Sequence, residues 1–295
     1  MKPLAALSAA GHARAAYLRA CELDVMVRKP GNVSLASRGH GMDAAQFLAS
    51  AQASSGPLFT AGTQVGARIE GAVQASLAVA GCNTNLGIVL LCAPLALATL
   101  QWPNARAPAQ FRDAVEHVLS GLDIVDAQAA FRAIARANPG GLGSAEQQDV
   151  HHGASVDLRA AMALAAGRDR IALQYVESYR EVFSIGIGEL PVERGAGRAA
   201  LPDAATAQAV QTCYLRWLST APDSHIVRKH GLPVAAEVMQ SAQAWHRRAL
   251  AGERLDLDPA WSQWDVELKA RGINPGTSAD LTVASLMLSR LLGVI

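Results

Sequence analysis

Residues 86–100 carry no charged side chain and read as one helix that is apolar on every side. A membrane span needs about 20 such residues, and Pro94 falls inside this shorter run. The stretch therefore belongs in a protein interior, where other elements must cover all of its faces. The chain has 295 residues, enough to bury a large core. Hydrophobic residues make up 51% of it, charged residues 17% and aromatics only 5%, and alanine dominates the apolar share. That mixture favours helices packed closely through small side chains over sheets, which draw on β-branched and aromatic residues. The expected fold is all-α: one multi-helix bundle over residues 1–295, with buried apolar helices at its centre.

The punctuation of the sequence supports this. Helices are expected over about 4–26, 43–54, 63–80, 86–100, 108–119, 124–136, 155–166, 170–183, 203–219, 233–250, 259–271 and 279–292, from apolar spacing and the breakers between them. Asp43 and Gln46 resemble a capping box. The Gly- and Pro-rich segments 138–143 and 186–202 read as loops.

Several functions are excluded. Formal net charge is +1, from 26 basic and 25 acidic residues, with no basic stripe interleaved with aromatics, so nucleic acid is not an expected partner. No membrane segment is expected. The N-terminus is broken by His12, Arg14 and Arg19 before an apolar core can form, and the four cysteines form no C-x-x-C pair. A cytoplasmic protein with reduced thiols is the expectation. No P-loop, H-E-x-x-H, G-x-S-x-G or zinc-type spacing occurs. Residues 195–200 match a dinucleotide fingerprint loosely, without the preceding strand that it requires.

Four polar clusters stand at helix boundaries. The first is Arg28-Lys29-Pro30-Gly31-Asn32-Val33-Ser34, followed by His40 and Asp43; two cations, a rigid turn, Asn32 and Ser34 can cradle phosphates, or simply close one helix and open the next. The second is Glu70 with Asn83-Thr84-Asn85. Glu70 falls at the edge of an apolar helix face, where it needs a cation or becomes a rim salt bridge. The third is Asp223-Ser224-His225 with Arg228-Lys229-His230, suited to metal and phosphate or to a solvated turn. In the fourth, Asn274-Pro275-Gly276-Thr277-Ser278-Ala279-Asp280, Ser278 is a candidate N-cap and Asp280 falls in the first turn, which makes an anion site or plain capping. Asp149-Val150-His151-His152 is a weaker metal candidate, and residues 168–170 read as a helix junction.

Together these clusters resemble one family, the triphosphoribosyl-dephospho-CoA synthases. Lys29-Pro30-Gly31-Asn32-Val33, His40, Asp43, Phe47 and Ser50 look like its K-P-G-x-V … H-x-D-M … F-x-x-S opening. Glu70 and Gly81-Cys82-Asn83-Thr84-Asn85-Leu86-Gly87 are similar to its E … G-V-N-T-H-K-G segment. Asp223, His225 and Arg228 resemble its D-[ST]-x-x-x-x-R turn, and residues 274–281 its S-P-G-G-S-A-D-L signature. The departures fall on polar positions. The acid after His40 comes one residue late, Asn85 and Leu86 replace the His and Lys of N-T-H-K-G, and the central R-G-E-A segment has no counterpart.

The resemblance implies an enzyme that displaces adenine from ATP and joins the triphosphoribosyl group to the 2′-hydroxyl of 3′-dephospho-CoA. Positive charge at the anomeric carbon calls for a carboxylate, and the attacking hydroxyl for a base. Glu70, Asp43 and His40 are the residues implied for this catalysis. Mg²⁺ is the implied cofactor, with Asp43, Glu70, Asp223 and Asp280 as its candidate ligands. Arg28, Lys29, Arg228 and Lys229 are natural phosphate partners, with Asn32, Ser34, Asn83, Thr84, Asn85, His225 and Ser278 as further binding residues. Expected partners are ATP and a CoA-like or other phosphorylated acceptor, for a single chain or a homo-oligomer. Two alternatives stay open: a related phosphoribosyl transferase of another cofactor pathway, such as that of a pterin, and a non-catalytic helical binding protein.

Overall fold

The computed structural model describes residues 8–140, 147–188, 190 and 201–293. Residues 195–200, with their loose dinucleotide fingerprint, lie outside the described residues, as do parts of the two expected loops. The helices are α1 (Ala9–Met26), α2 (Ala44–Leu58), α3 (Val65–Ala80), α4 (Leu86–Gln101), α5 (Pro108–Ser120), α6 (Ile124–Ala137) and α7 (Leu158–Ala165). They continue with α8 (Arg170–Val176), α9 (Arg180–Gly188), α10 (Ala204–Thr220), α11 (Ser224–His230), α12 (Leu232–Leu250), α13 (Pro259–Ala270) and α14 (Gly276–Leu291). Among the described residues there is no strand, only two isolated bridges in the loop before α2. The fold is all-α, and no described helix is long and apolar enough to cross a membrane.

The apolar run becomes α4, and every residue from 86 to 99 is buried. α1, α2, α3, α5, α8 and α14 pack around it. α14 is the second central helix; from 277 to 289 every residue is buried except Asp280. A smaller apolar cluster lies among α10–α13 around Trp261. α10 joins the two, with Cys213 and Trp217 in the main core and Tyr214, Leu215 and Leu218 in the smaller one.

Pro94 does not stop α4. It lacks the N–H that would reach the Leu90 carbonyl four residues earlier, and the Tyr175 hydroxyl donates to that carbonyl at 2.6 Å. Tyr179 donates to the Leu91 carbonyl at 2.9 Å. Both tyrosines come from the place where the helix expected over 170–183 is split. Ser178 and Tyr179 have φ of 54° and 56°, so α8 ends and α9 starts in a new direction. Helix α11, not expected as a separate element, is set off by the Asp223 cap and by Gly231.

The turn after α1 is fixed from several sides. Lys29 is fully buried and pairs with Asp24 at 2.9 Å, its ammonium also donating to the Asp24 carbonyl. Gly31, at φ +82°, would place any Cβ 2.7 Å from Pro275, so no other residue fits there. Its N–H donates to Asp265 at 2.8 Å, and the Tyr214 hydroxyl donates to the Pro30 carbonyl at 2.7 Å.

Tyr175→Phe strands the Leu90 carbonyl and should cost about 1–3 kcal/mol in denaturant unfolding. In a Pro94→Ala background, where the helix N–H returns, the same change should cost clearly less. Lys29→Met leaves the Asp24 carboxylate buried without its cation and should cost about 3–5 kcal/mol. A Lys29→Met protein with unchanged unfolding would show that the pair is not structural.

Candidate active site

A cavity of about 280 Å³ opens where the N-terminal ends of α4 and α14 meet α11 and the turn after α1. Its walls differ in chemistry. Asp24, Asn32, His40, His225, Arg228, Lys229, Thr277 and Asp280 give a polar wall. α4, α6, α7 and α8 give an apolar one through Leu86, Leu90, Ile134, Met162 and Ile171, and Phe47 of α2 adds an aromatic ring.

Asp280 stands where the two walls join. A Cβ on Gly87 would collide with its carboxylate, so glycine on α4 is what admits it. The carboxylate makes no hydrogen bond or ion pair with any described residue. Burial pushes its pKa well above the usual carboxylate range, and Asp24, Asp223 and Asp169 push it further; Arg228 opposes them. Asp169 caps α8, accepting from the Ile171 N–H at 2.8 Å, and turns its other oxygen to Arg228 at 3.5 Å.

His40 sits at the tip of a tight turn in which Gly39 pairs with Met42 and the two central residues have φ of 56° and 76°. Its Nε2 lies 2.8 Å from the Gly31 carbonyl. Burial lowers its pKa, partly offset by that hydrogen bond. On α11, Arg228 reaches the Gly140 carbonyl at 3.3 Å, while the Lys229 ammonium has no ion-pair partner among the described residues. Asn32 donates to Asn274 at 3.0 Å and leaves its own buried Oδ1 without a partner among the described residues.

The structure thus brings His40, Asn32, Asn83, Thr84, His225, Arg228, Lys229 and Asp280 to one cavity. The other sequence-derived candidates are engaged elsewhere. Glu70 is held by Arg132 through two bonds of 2.7 Å at the α3–α6 rim. Asp43 caps α2, as its capping box implies, and pairs with Arg38 at 2.6 Å. These arginines hold both carboxyls below the usual range.

Asp223 is committed on both oxygens: it accepts from the His225 and Ile226 N–H groups at 2.9 and 3.1 Å, and from the Ser278 N–H and hydroxyl at 2.7 and 2.8 Å. Ser278 is therefore no N-cap, because α14 begins at Gly276, and Asp280 lies beyond its first turn. Lys29 is held by Asp24, and Arg28, whose backbone carbonyl accepts from Gln211 at 3.5 Å, does not line the cavity. Ser34 is buried in the loop that follows, and Asn85 turns inward to Ser54 at 3.4 Å.

The lining residues that were not picked out as site residues include Asp24, Asp169 and Asn274. Asp24 is an acid between Leu23 and Val25 on a helix buried on nearly every face, which is the signal that could have found it. Asp169 is the helix junction it was read as, and it lines the cavity as well. Asn274 belongs to the fourth cluster. Among the described residues no three His, Cys, Asp or Glu side chains stand close enough to hold a metal by themselves.

A family model described as CitG, ATP:dephospho-CoA triphosphoribosyl transferase, matches residues 10–294. No curated protein matches the chain. Among solved structures, the fold is similar to that of a protein from Archaeoglobus fulgidus assigned as triphosphoribosyl-dephospho-CoA synthase. The TM-score is 0.61 at 21% identity, over 84% of this chain and 98% of the other. With nearly its whole length matched, the chain belongs to the ATP:dephospho-CoA triphosphoribosyl transferase family.

Proposed function

We propose that this cavity is where the triphosphoribosyl group of ATP passes to the 2′-hydroxyl of 3′-dephospho-CoA, with adenine leaving, in the cytoplasm. The observation that carries the reading is the meeting of a cationic helix end, a carboxylate without a partner among the described residues and an apolar wall in one cavity. Arg228 and Lys229 suit the phosphates, and the apolar wall suits the base. Asp280, at the junction of the walls, lies where the bond between base and sugar would fall.

The reaction breaks the bond from C1′ to adenine and forms one from C1′ to the acceptor oxygen. A carboxylate in an enclosed site stabilises the positive charge that develops at C1′. The hydroxyl proton needs a base. Because the Gly31 carbonyl only accepts, His40 carries its hydrogen on Nε2, leaving Nδ1 bare to take that proton.

Mg²⁺ fits these residues as a substrate-borne ion: such a hard cation is commonly held by one or two carboxylates together with phosphate oxygens. Asp280, helped by Asp24 or Asp169, would hold it. When bound it supplies neutralisation of the triphosphate charge.

The acceptor has a second reading. Of the two altered positions, Asn85 faces away, but Leu86 lines the cavity and puts an apolar side chain where the family pattern has a lysine. A less anionic phosphorylated acceptor would suit it. Incubation with ATP, Mg²⁺ and dephospho-CoA, with free adenine measured, decides the matter. Adenine release that depends on dephospho-CoA is expected; ATP binding without that dependence favours the second acceptor, and failure to bind ATP sinks both.

Two residue tests accompany this assay. Asp280→Asn should lower adenine release at least about a hundredfold. It should also stabilise the metal-free protein at neutral pH. A raised native pKa means the folded carboxyl costs nothing while both states are protonated; its cost sets in as pH rises above the unfolded value of about 4 and levels off only at the native value. The gain in melting temperature should vanish in acid; a variant less stable at neutral pH would contradict the assignment. For His40, a lowered pKa keeps the base neutral through neutral pH. The acid limb of kcat/KM should therefore lie below about 6.5, and His40→Gln should cost about 10²–10⁴ in kcat and remove that limb.

A further inference from the structure

The two cavity histidines meet partners of opposite character. His40 faces a carbonyl, which only accepts. Nδ1 of His225 lies 3.5 Å from Nη2 of Arg228, and a guanidinium only donates. Nδ1 of His225 is therefore bare, and its hydrogen is on Nε2. The ring is seated on Gly276, whose missing Cβ would lie 3.2 Å from Nδ1, so it has little room to turn away. Gly276 opens α14, whose first turn is electropositive. A second proton on Nδ1 would face both the guanidinium and that helix end.

The other groups around the ring agree. On its own helix stand Arg228, Lys229 and His230; from the turn before α2 comes His40. Asp223, the acid nearest in sequence, is committed to four donors, and Asp169 is turned to Arg228. From α14, Thr277 accepts the His225 N–H at 3.2 Å, and Asp280 lines the same cavity. Burial, then Arg228 and Lys229, push the His225 pKa down to about 3. Its Nε2 is enclosed and has no partner among the described residues, although the ring lines the cavity. A donor in that state lacks an acceptor, which a ligand can supply.

We infer that His225 is a substrate-binding residue held as a neutral Nε2–H imidazole, which donates to a phosphoryl oxygen of the bound triphosphate and accepts no proton during transfer. The identity of that oxygen rests on the proposed function; the tautomer does not.

The test is long-range proton–nitrogen NMR on the full chain labelled with ¹⁵N-histidine, the His225 signals being assigned by their loss in His225→Gln. From about pH 5 to about pH 8 the neutral Nε2–H pattern should persist. An imidazolium with its midpoint in that range, or an Nδ1–H pattern, overturns the inference. Inorganic triphosphate with Mg²⁺ should then move the Nε2–H proton downfield. If His40 signals respond to it and Nε2–H does not, the phosphate contact is wrong while the functional reading stands. If neither responds to triphosphate or ATP, both fall together. In kinetics, His225→Ala should raise the KM for ATP about 10- to 100-fold, and His225→Gln, which keeps a donor near Nε2, should hold it within about threefold. Equal losses in the two variants overturn the donor role.

Discussion

A helix without a charged residue from 86 to 99 has to be covered on every side, and that requirement organises the molecule. Burial of apolar area contributes about 25 cal/mol per Å², and α4 collects it from α1, α2, α3, α5, α8 and α14 together. Small side chains let these helices approach closely. Pro94 then opens a gap in the backbone hydrogen bonding of the most buried helix. The break between α8 and α9 closes it by sending in the hydroxyls of Tyr175 and Tyr179.

The cavity lies at the end of this packing, because helix ends are where backbone polar groups and charged side chains can gather without breaking the core. α4 and α14 meet there, and Gly87 yields the volume of a side chain to Asp280. An enclosed carboxylate with no partner among the described residues is unfavourable for folding. Proteins commonly keep such groups at functional sites, where a ligand supplies the missing partner.

Most other charges near the site are used up by the fold. Asp24 neutralises Lys29, Asp265 holds Gly31 and pairs with Lys269, and Asp223 clamps α11 to the start of α14. These contacts join α1, α11, α13 and α14, and so set the place of the turn after α1, against which His40 is held, relative to His225 and the cations of α11. Polar residues that look alike in the sequence thus divide into a scaffold set and a cavity set.

The sequence by itself determined the helical architecture. Apolar spacing, capping residues and breakers act over a few residues, so the all-α class, the buried 86–100 helix and the Asp43 capping box are all legible there. So are the motifs that identify the family. It did not determine which charges remain free. Glu70 and Asp43 are engaged by Arg132 and Arg38, Lys29 lies wholly inside, and Asp24 and Asp169 reach the cavity although neither stood out as a site residue. Only the tertiary structure could decide this, because the availability of an ionisable group depends on the partner that packing brings to it, and spacing does not reveal that partner: Arg132 lies 62 residues from Glu70, and Arg38 five residues from Asp43.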